Sequence, residues 1–284
     1  MITYKRCSDV SIKDIVDAFN IGFSDYIIKL ELTEELFLSR FIIVEQNQLE
    51  HSFIAYDKQL PIGLILGGIK TYDEIKTLRC GTLCVHPLYR KQSVASKLFN
   101  LHKEEALNHQ CERLYLEVIQ GNDKAITFYQ KQGYKVLNEL VYYSHLDPQI
   151  LSSELNNSLD IRKIEFDNVK NLHQDKVNKH LQWQNDFDYM GFFPQLINYG
   201  LYIDDKLVGA LSALPSGKAF YLWIQENYRQ KGYSKALLGK LVKDHNISKL
   251  MMSFIPDETI SNPLIKLGFT KDKISQFEMV QVLS

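Results

Sequence analysis

The stretch "VHPLYRKQSVASKLF", Val85 to Phe99, has a second copy in "IQENYRQKGYSKALL", Ile224 to Leu238. In both, the end of a strand-like run passes through Tyr-Arg into a small-residue turn. Apolar residues at helical spacing follow. Val85, Tyr89, Arg90, Ser93, Ala95 and Leu98 match Ile224, Tyr228, Arg229, Gly232, Ser234 and Leu237. The surroundings repeat as well: "AYDKQLPIGLIL" has its counterpart in "YIDDKLVGALSA". A repeat this long is a duplicated domain, since solenoid periods run to only about 20–50 residues. The chain must therefore fold into something that each half can build.

Each half alternates strands and helices. "ITYKRC" alternates as a first strand. "SIKDIVDAFNIGFSDY" opens on the N-cap candidate Ser11 and carries Ile12, Ile15, Val16 and Phe19 at helical spacing. "TEELFLSRFIIVE" places Glu34 and Glu35 behind Thr33, so acid sits in the first turn of a second helix. "SFIAYD", "LPIGLILGGIKTY" and "TLRCGTLCVHP" read as a three-strand meander. A helix from Val94 to about His109 follows, then the strand "RLYLEVI", the helix "NDKAITFYQKQ" stopping at Gly133, and the strand "YKVLNELVYYSHL". The polar stretch "DPQILSSELNNSLD", residues 147–160, reads as a linker, after which the pattern restarts. The expected fold class is α/β in the broad sense, an α+β mixed sheet. It comprises two domains, 1–146 and 161–284, each with a mostly antiparallel sheet flanked by helices.

Composition excludes several functions. Lysine and arginine (33) nearly balance aspartate and glutamate (34), so nothing marks a general nucleic-acid surface, and nucleic acid is not an expected partner. "KTYDEIKTLR" and "YRKQ" are the local candidates for a basic patch. Cys7, Cys80, Cys84 and Cys111 form no Cys-x-x-Cys pair and read as buried thiols. Cys80 and Cys84, four apart in a strand-like run, are expected on one face. The eight histidines are scattered, and no metal site is expected. "MITYKRCSDV" has no apolar signal core, and "PIGLILGGI" is too short to span a bilayer. The expectation is a cytoplasmic chain with no membrane partner.

The repeated turn stands where a strand enters a helix. A helix start carries unpaired N–H groups and the positive end of the dipole, and small residues let those amides approach phosphate oxygens. An arginine at the entry adds charge-assisted bonds. Neither Gly-x-Gly-x-x-Gly nor Gly-x-x-x-x-Gly-Lys-Ser/Thr occurs at either turn. Downstream of the first turn lie Glu117 in a strand, then Asn122, Ala125 and Tyr129 in a helix ending at Gly133-Tyr134. Residues 85–95 and 116–134 together resemble the GNAT N-acetyltransferase superfamily. Its pattern is Val-x-Pro-x-x-Arg-x-x-Gly-x-Gly/Ala, then Leu-x-Val-x-x-x-Asn-x-x-Ala-x-x-x-Tyr-x-x-x-Gly-Phe. Ser93 departs from it, standing where the first loop glycine is usual.

The resemblance implies acetyl-CoA as donor and a small-molecule or peptide amine as acceptor, joined by direct attack in a ternary complex. It implies that the pyrophosphate rests on the amides of Arg90, Lys91, Gln92, Ser93, Val94 and Ala95. The pantetheine arm pairs with Leu83, Cys84 and Val85, where such proteins splay a pair of parallel strands, and the Val85 N–H faces the thioester oxygen. Asn122, with Ala125 behind it, bonds the arm or holds the strand end. Tyr129 is the acid for the leaving thiolate. Glu117 is either the base or a residue that orders the strand. Phe23 to Tyr26 wall the acceptor pocket.

The second half has Leu264 at the tyrosine position, Ser253 at the glutamate position, and Asp257 or Glu258 for the asparagine. It resembles a GNAT domain without its acid, with a structural and pocket-forming role. Its aromatic stretch "WQNDFDYMGFFPQLINYG" is expected in core and inter-domain packing. Alternatives are a non-catalytic acyl-CoA-binding or sensory tandem protein, a tandem aminoacyl transferase drawing on tRNA, and a tandem thiol-cofactor synthase. Neither the acceptor nor the oligomeric state follows from these residues.

Overall fold

A computed structural model describes residues 1–26, 31–153, 158–177 and 179–283. The elements in order are β1 (Ile2–Arg6), α1 (Ile12–Gly22), α2 (Glu34–Phe37), β2 (Gln48–Asp57), β3 (Leu60–Tyr72), β4 (Ile75–Val85), α3 (Val94–Asn108), β5 (Arg113–Ile119), α4 (Asp123–Lys131) and β6 (Lys135–His145). Then come α5 (Gln149–Ser153), β7 (Asp160–Lys163), α6 (Phe166–Leu172), α7 (Phe187–Gly191), β8 (Ile197–Ile203), β9 (Lys206–Ala213), β10 (Lys218–Ile224), α8 (Tyr233–His245), β11 (Leu250–Phe254), α9 (Glu258–Lys266), β12 (Thr270–Lys271) and β13 (Gln276–Val282).

The chain forms two compact units. The first holds Met1–Leu137 and Glu278–Ser284, the second Asn138–Phe277. The handover thus falls inside β6 rather than at residues 147–160, and the chain returns to the first unit inside β13. Some of the stretch expected as a linker is helical: α5 buries Leu151 in the second unit's core. Residues 154–157 lie outside the described residues.

In the first unit the strands run β1-β2-β3-β4-β5-β13. β1 to β4 are antiparallel neighbours, and β4 to β5 is parallel. Asp73 and Glu74 both take positive φ, which lets a tight turn follow the strands' right-handed twist. α1 starts at Ser11, whose hydroxyl accepts from the Asp14 N–H, and its stripe of Ile15, Val16 and Phe19 packs with Phe37, Leu64 and Leu66. α2 is capped by Thr33 and runs into a π-helical stretch, Leu38–Val44.

The second unit repeats this plan. Its strands run β6-β11-β10-β9-β8-β7, with β12 also on β6, and β10 to β11 is the parallel pair. Asp204 and Asp205 supply the positive-φ turn between β8 and β9. The phosphate-turn candidates share one backbone. Lys91 and Ser93 have φ of 61° and 62°, and Gln230 and Gly232 have 63° and 80°. In each, the arginine Nε donates at 3.1 Å to the carbonyl five residues back, Arg90 to Val85 and Arg229 to Ile224. The second turn is a copy of the first in conformation as well as in sequence.

A bulge in β4 overturns one expectation. Leu66 faces Thr82 and Gly67 faces Cys80, so Gly81 is the extra residue. Cys80 and Cys84 therefore lie on opposite faces, not one. Cys84 packs with the α1 cluster, its thiol 3.6 Å from the Ala18 carbonyl, whereas Cys80 meets Tyr129 of α4. Gly81 has no room for a side chain, since a Cβ would stand 2.1 Å from Asn47 Oδ1. In β10 the extra residue is Phe220.

A buried ion knot ties β1, β2 and α3 together. Arg6 donates to both Glu105 oxygens at 2.9 and 2.6 Å, and His51 and His109 reach Oε1 at 2.8 and 3.1 Å. Burial works to raise the Glu105 carboxyl, but the hydrogen bonds from Arg6 and His51 and the charges of Arg6 and His109 outweigh it and bring it down to about 2. His102, one turn earlier, is fully buried and pulled down by that burial to about 3, so it stays neutral.

Two outcomes follow for urea unfolding. Glu105→Gln is expected to lose about 2 kcal/mol near neutral pH, less than the roughly 3–5 kcal/mol of a fully buried pair because Arg6 is partly exposed. Its depressed carboxyl stabilises the fold above the unfolded-state pKa and ceases to as pH falls toward 2, so parent and variant should converge in acid. An equal loss at every pH would count against the ion pair as the cause. Ser93→Gly is expected to gain about 0.5–1 kcal/mol, because a left-handed φ costs a residue with a Cβ more than glycine's extra entropy. A less stable Ser93→Gly would show that the hydroxyl, not the backbone, matters there.

Candidate active site

β4 and β5 pair only at Thr77–Arg113, Leu78–Leu114 and Arg79–Tyr115. Beyond that the two parallel strands separate. The other edge of β4 stays on β3, and the His86 N–H continues the ladder to Ile62 at 2.8 Å. Antiparallel pairing alternates direction along a strand. With His86 and Cys84 turned toward β3, Leu83 and Val85 present their main-chain groups to the open side. The Val85 carbonyl is taken by Arg90 Nε.

At the outer end of this opening stands the turn before α3. The first bond inside the helix runs from the Lys97 N–H to the Ser93 carbonyl at 3.0 Å, and no side chain caps the helix start. The amides of Val94, Ala95 and Ser96 are therefore left without helical acceptors. A cavity of about 190 Å³ lies against them, lined by Val85, Arg90, Lys91, Ser93, Ala95 and Phe128 among others. A concave, amide-lined recess at a helix N-terminus suits an anionic phosphate group. Lys91, which lines it, and the neighbouring Gln92 are exposed.

The arginine does something else. Arg90 forms a two-pronged pair with Asp25 at 2.6 and 2.7 Å, and also donates to the Gly22 carbonyl at 3.2 Å. Its guanidinium locks the turn to the end of α1. Of the two basic residues in "YRKQ", Arg90 is therefore engaged within the fold, while Lys91 is exposed beside the cavity.

At the inner end sits Tyr129, buried on α4. Its hydroxyl shares a hydrogen bond with the Cys80 thiol, and burial first, then the neighbouring Cys80 and Tyr134, hold the phenol protonated well above the usual tyrosine range. Cys80 is the first β4 residue beyond the paired stretch, so the phenol lies at the base of the opening. Asn122 caps α4, its side chain accepting from the Ala125 N–H at 3.3 Å, which holds the end of β5 to the start of that helix. The Tyr26 hydroxyl adds a last, smaller push to the Tyr129 phenol.

Glu117 is buried on β5. Its Oε2 accepts from Arg79 at 2.9 Å, and Oε1 has no hydrogen-bond partner. Burial pushes its carboxyl up to about 7, with Glu45 and Glu278 adding to the push and Arg79 opposing it. A buried carboxyl raised in this way, on β5 just past its last pair with β4, is suited to proton transfer. Sequence reasoning missed Arg79, assigning it to a surface patch in "KTYDEIKTLR"; it is 4% exposed. An arginine inside an alternating apolar strand must find a buried acid, and that was the available signal.

The second unit has the opening with different side chains around it. β10 and β11 pair only at Lys218–Met251 and Ala219–Met252. The registers set Lys218 where Arg79 stands and Ser253 where Glu117 stands. Gln182 donates to the Ser253 hydroxyl at 2.5 Å and Asn185 to its carbonyl at 2.8 Å, with Trp183 fully buried between them in sequence. The chain's own side chains thus occupy the region just past the last strand pair. Leu264 fills the tyrosine position as a core residue, and Asp257 caps α9 as Asn122 caps α4. Phe187, Tyr189 and Phe193 pack around Tyr221 and Phe220 within this unit.

The Acetyltransferase (GNAT) family pattern matches the chain twice, at residues 15–134 and 159–269. "N-alpha-acetyltransferase 30" of Dictyostelium discoideum is 29% identical over 119 residues, 41% of this chain and 63% of that protein. The match thus spans just under two thirds of that relative's length. The fold is shared with a GCN5-related N-acetyltransferase from Sphaerobacter thermophilus, with a TM-score of 0.70 and 11% identity, covering 99% of this chain and 95% of that one. It is shared equally with a tandem GNAT protein from the clavulanic acid biosynthesis pathway, with a TM-score of 0.70 and 11% identity, covering 99% and 98%. Two openings between parallel strands, two copies of one anion-suited turn and two matches to one family pattern have a single explanation: the chain belongs to the acetyltransferase (GNAT) family and carries its domain in tandem.

Proposed function

We propose that the first unit transfers an acetyl group from acetyl-CoA to a primary amine by direct attack, with both substrates bound together. The observation that carries this is the opening between β4 and β5, which runs from an uncapped helix start at Ser93 to a buried phenol at Tyr129. The residues present fit the donor. Amides from Lys91 to Ala95 would receive the pyrophosphate, the Arg90 N–H being directed instead to the Pro87 carbonyl at 3.4 Å, and the open edge at Leu83 and Val85, with Cys84 turned to β3 between them, would pair with the amide-bearing arm. Asn122 and Ala125 act indirectly, by fixing the start of α4.

Acetyl-CoA, when bound, supplies an activated acyl group with a thiolate leaving group. The Val85 N–H is the donor for the carbonyl oxygen as it gains charge. Glu117 Oε1 takes a proton from the amine, Tyr129 gives its proton to the departing sulfur, and the new C–N bond replaces the C–S bond. Tyr129 is well matched to the acid role because burial keeps it protonated. The second unit, with Leu264 and Ser253 in place of the phenol and the carboxylate, serves without catalysing.

The acceptor class to test first is the α-amine of a peptide, following the activity that the name of the Dictyostelium relative states. Small amines are the other arm. Four buried free cysteines agree with a reducing, cytoplasmic setting. One observation favours a second reading, an acyl-CoA-binding module without transfer: the Tyr129 hydroxyl is already engaged by Cys80.

The decisive experiment mixes the full chain with acetyl-CoA and a panel of peptide and small-molecule amines, reading free-thiol release. Turnover with at least one amine is expected. Tyr129→Phe should lower kcat by roughly 100-fold while leaving acetyl-CoA affinity within about twofold, as the loss of a general acid does. Binding by calorimetry with no turnover on any amine would select the binding-module reading. A Tyr129→Phe variant as fast as the parent would remove the phenol from its role.

A further inference from the structure

The candidate base belongs to a chain of charges. Arg79 gives Nη2 to Glu117 at 2.9 Å and Nη1 to Glu45, at 2.7 Å to the carboxylate and 3.3 Å to the main-chain carbonyl. Both side chains of the Arg79–Glu45 pair are nearly shut from solvent, at 5% and 13% exposure. Glu45 stands where the π-helical stretch ends, its N–H bonding the Arg40 carbonyl at 2.9 Å. That wider turn leaves Glu45 with two acceptors directed at one guanidinium. Only a planar, forked cation serves two carboxylates at once; a lysine offers a single point of charge.

The arrangement divides the two oxygens of Glu117. Oε2 is fixed by Arg79, and Oε1 is buried with no partner. An unpartnered buried carboxylate oxygen is costly and calls for a ligand. The second unit supports the pairing independently. There Lys218 replaces the arginine and Ser253 the glutamate, so the two residues are lost together, and Lys218 lies over the rings of Tyr189 and Phe220.

We propose that Arg79 is a positioning residue for Glu117: anchored by Glu45, it holds one carboxylate oxygen and leaves the other open to the attacking amine. This rests on the reading of Glu117 as the base. Burial pulls the Arg79 guanidinium down, but the charges of Glu45 and Glu117 outweigh it and keep it fully protonated. The other groups facing Glu117 are Tyr115, on its own strand, and Glu278 from β13, whose Oε1 accepts from the Tyr115 hydroxyl at 2.6 Å. Glu45 and Glu278 oppose the ionised form of Glu117, and Arg79 favours it. Without Glu45 the fork is free to close on both Glu117 oxygens.

The test reads Glu117 directly and needs no substrate. The full chain is prepared with 13C at the glutamate δ-carboxyls, and Glu117 is identified as the signal missing from Glu117→Gln. Its titration is followed by NMR in the parent, in Glu45→Gln and in Arg79→Lys. Glu45→Gln is expected to move the Glu117 midpoint down by about one pH unit, and Arg79→Lys to move it up. With an amine from the panel, the acid limb of kcat should move the same way, and kcat of Glu45→Gln should fall about tenfold at unchanged KM for acetyl-CoA. Should Arg79→Lys fail to fold, Glu45→Gln alone decides. A Glu117 midpoint unmoved in Glu45→Gln overturns the proposal whatever the activity. Shifted midpoints in a protein where Glu117→Gln keeps full activity would uphold the electrostatic link and sink the base assignment, and with it the catalytic meaning of Arg79.

Discussion

Two parallel strands that stay paired for three residues and then separate set everything else in the first unit. A separated pair exposes main-chain N–H and C=O groups that a sheet would normally satisfy, and a buried unpaired amide is expensive. The opening persists because its two sides are held elsewhere: β4 by its full ladder to β3, and β5 by β13 beyond it. The bulge at Gly81 sits where β4 leaves its partner. It turns Cys80 toward α4 and leaves Cys84 with α1. The result is an opening with free backbone on one wall, a helix start at its mouth and a phenol at its base.

The duplication shows which features of this device are architectural. The second unit keeps the early separation, the bulge, the positive-φ turn and the arginine that caps the last strand carbonyl. It loses the phenol, the carboxylate and the arginine that holds it. Gln182 and Asn185 bond Ser253 instead. The features common to both copies are thus those of the backbone, whereas Arg79, Glu117 and Tyr129 give way to Lys218, Ser253 and Leu264.

Much of the fold was legible because it is local. Ser11 and Thr33 cap helices as their positions suggest, Gly133 ends α4 with φ of 99°, and the repeated turn has one conformation in both halves. The residues that the spacing singles out are now placed: Tyr129 on α4 beside Cys80, and Leu83 and Val85 on the edge of β4 that turns away from β3. What escaped depended on contacts between distant residues. The Gly81 bulge flips the register by one, and nothing in "TLRCGTL" separates an ordinary strand glycine from a bulge. The pairing of Arg90 with Asp25 joins residues far apart in sequence, and nothing in "YRKQ" signals it. The polarity of residues 147–153 that suggests a linker also suits the short helix α5. Arg79 and Glu117 are opposite charges in two apolar strands, and only their shared burial makes them partners.

The central claim is that acetyl-CoA lies along the open edge of β4 with its diphosphate on the first turn of α3. Residue-resolved amide hydrogen exchange, with and without acetyl-CoA, tests it most directly. The account expects slowed exchange at Leu83, Val85 and Gln92 to Ala95, with the amides of Gly232 to Ser234 unchanged. Protection confined to the second turn, or none at Leu83 and Val85 under saturating acetyl-CoA, would contradict it.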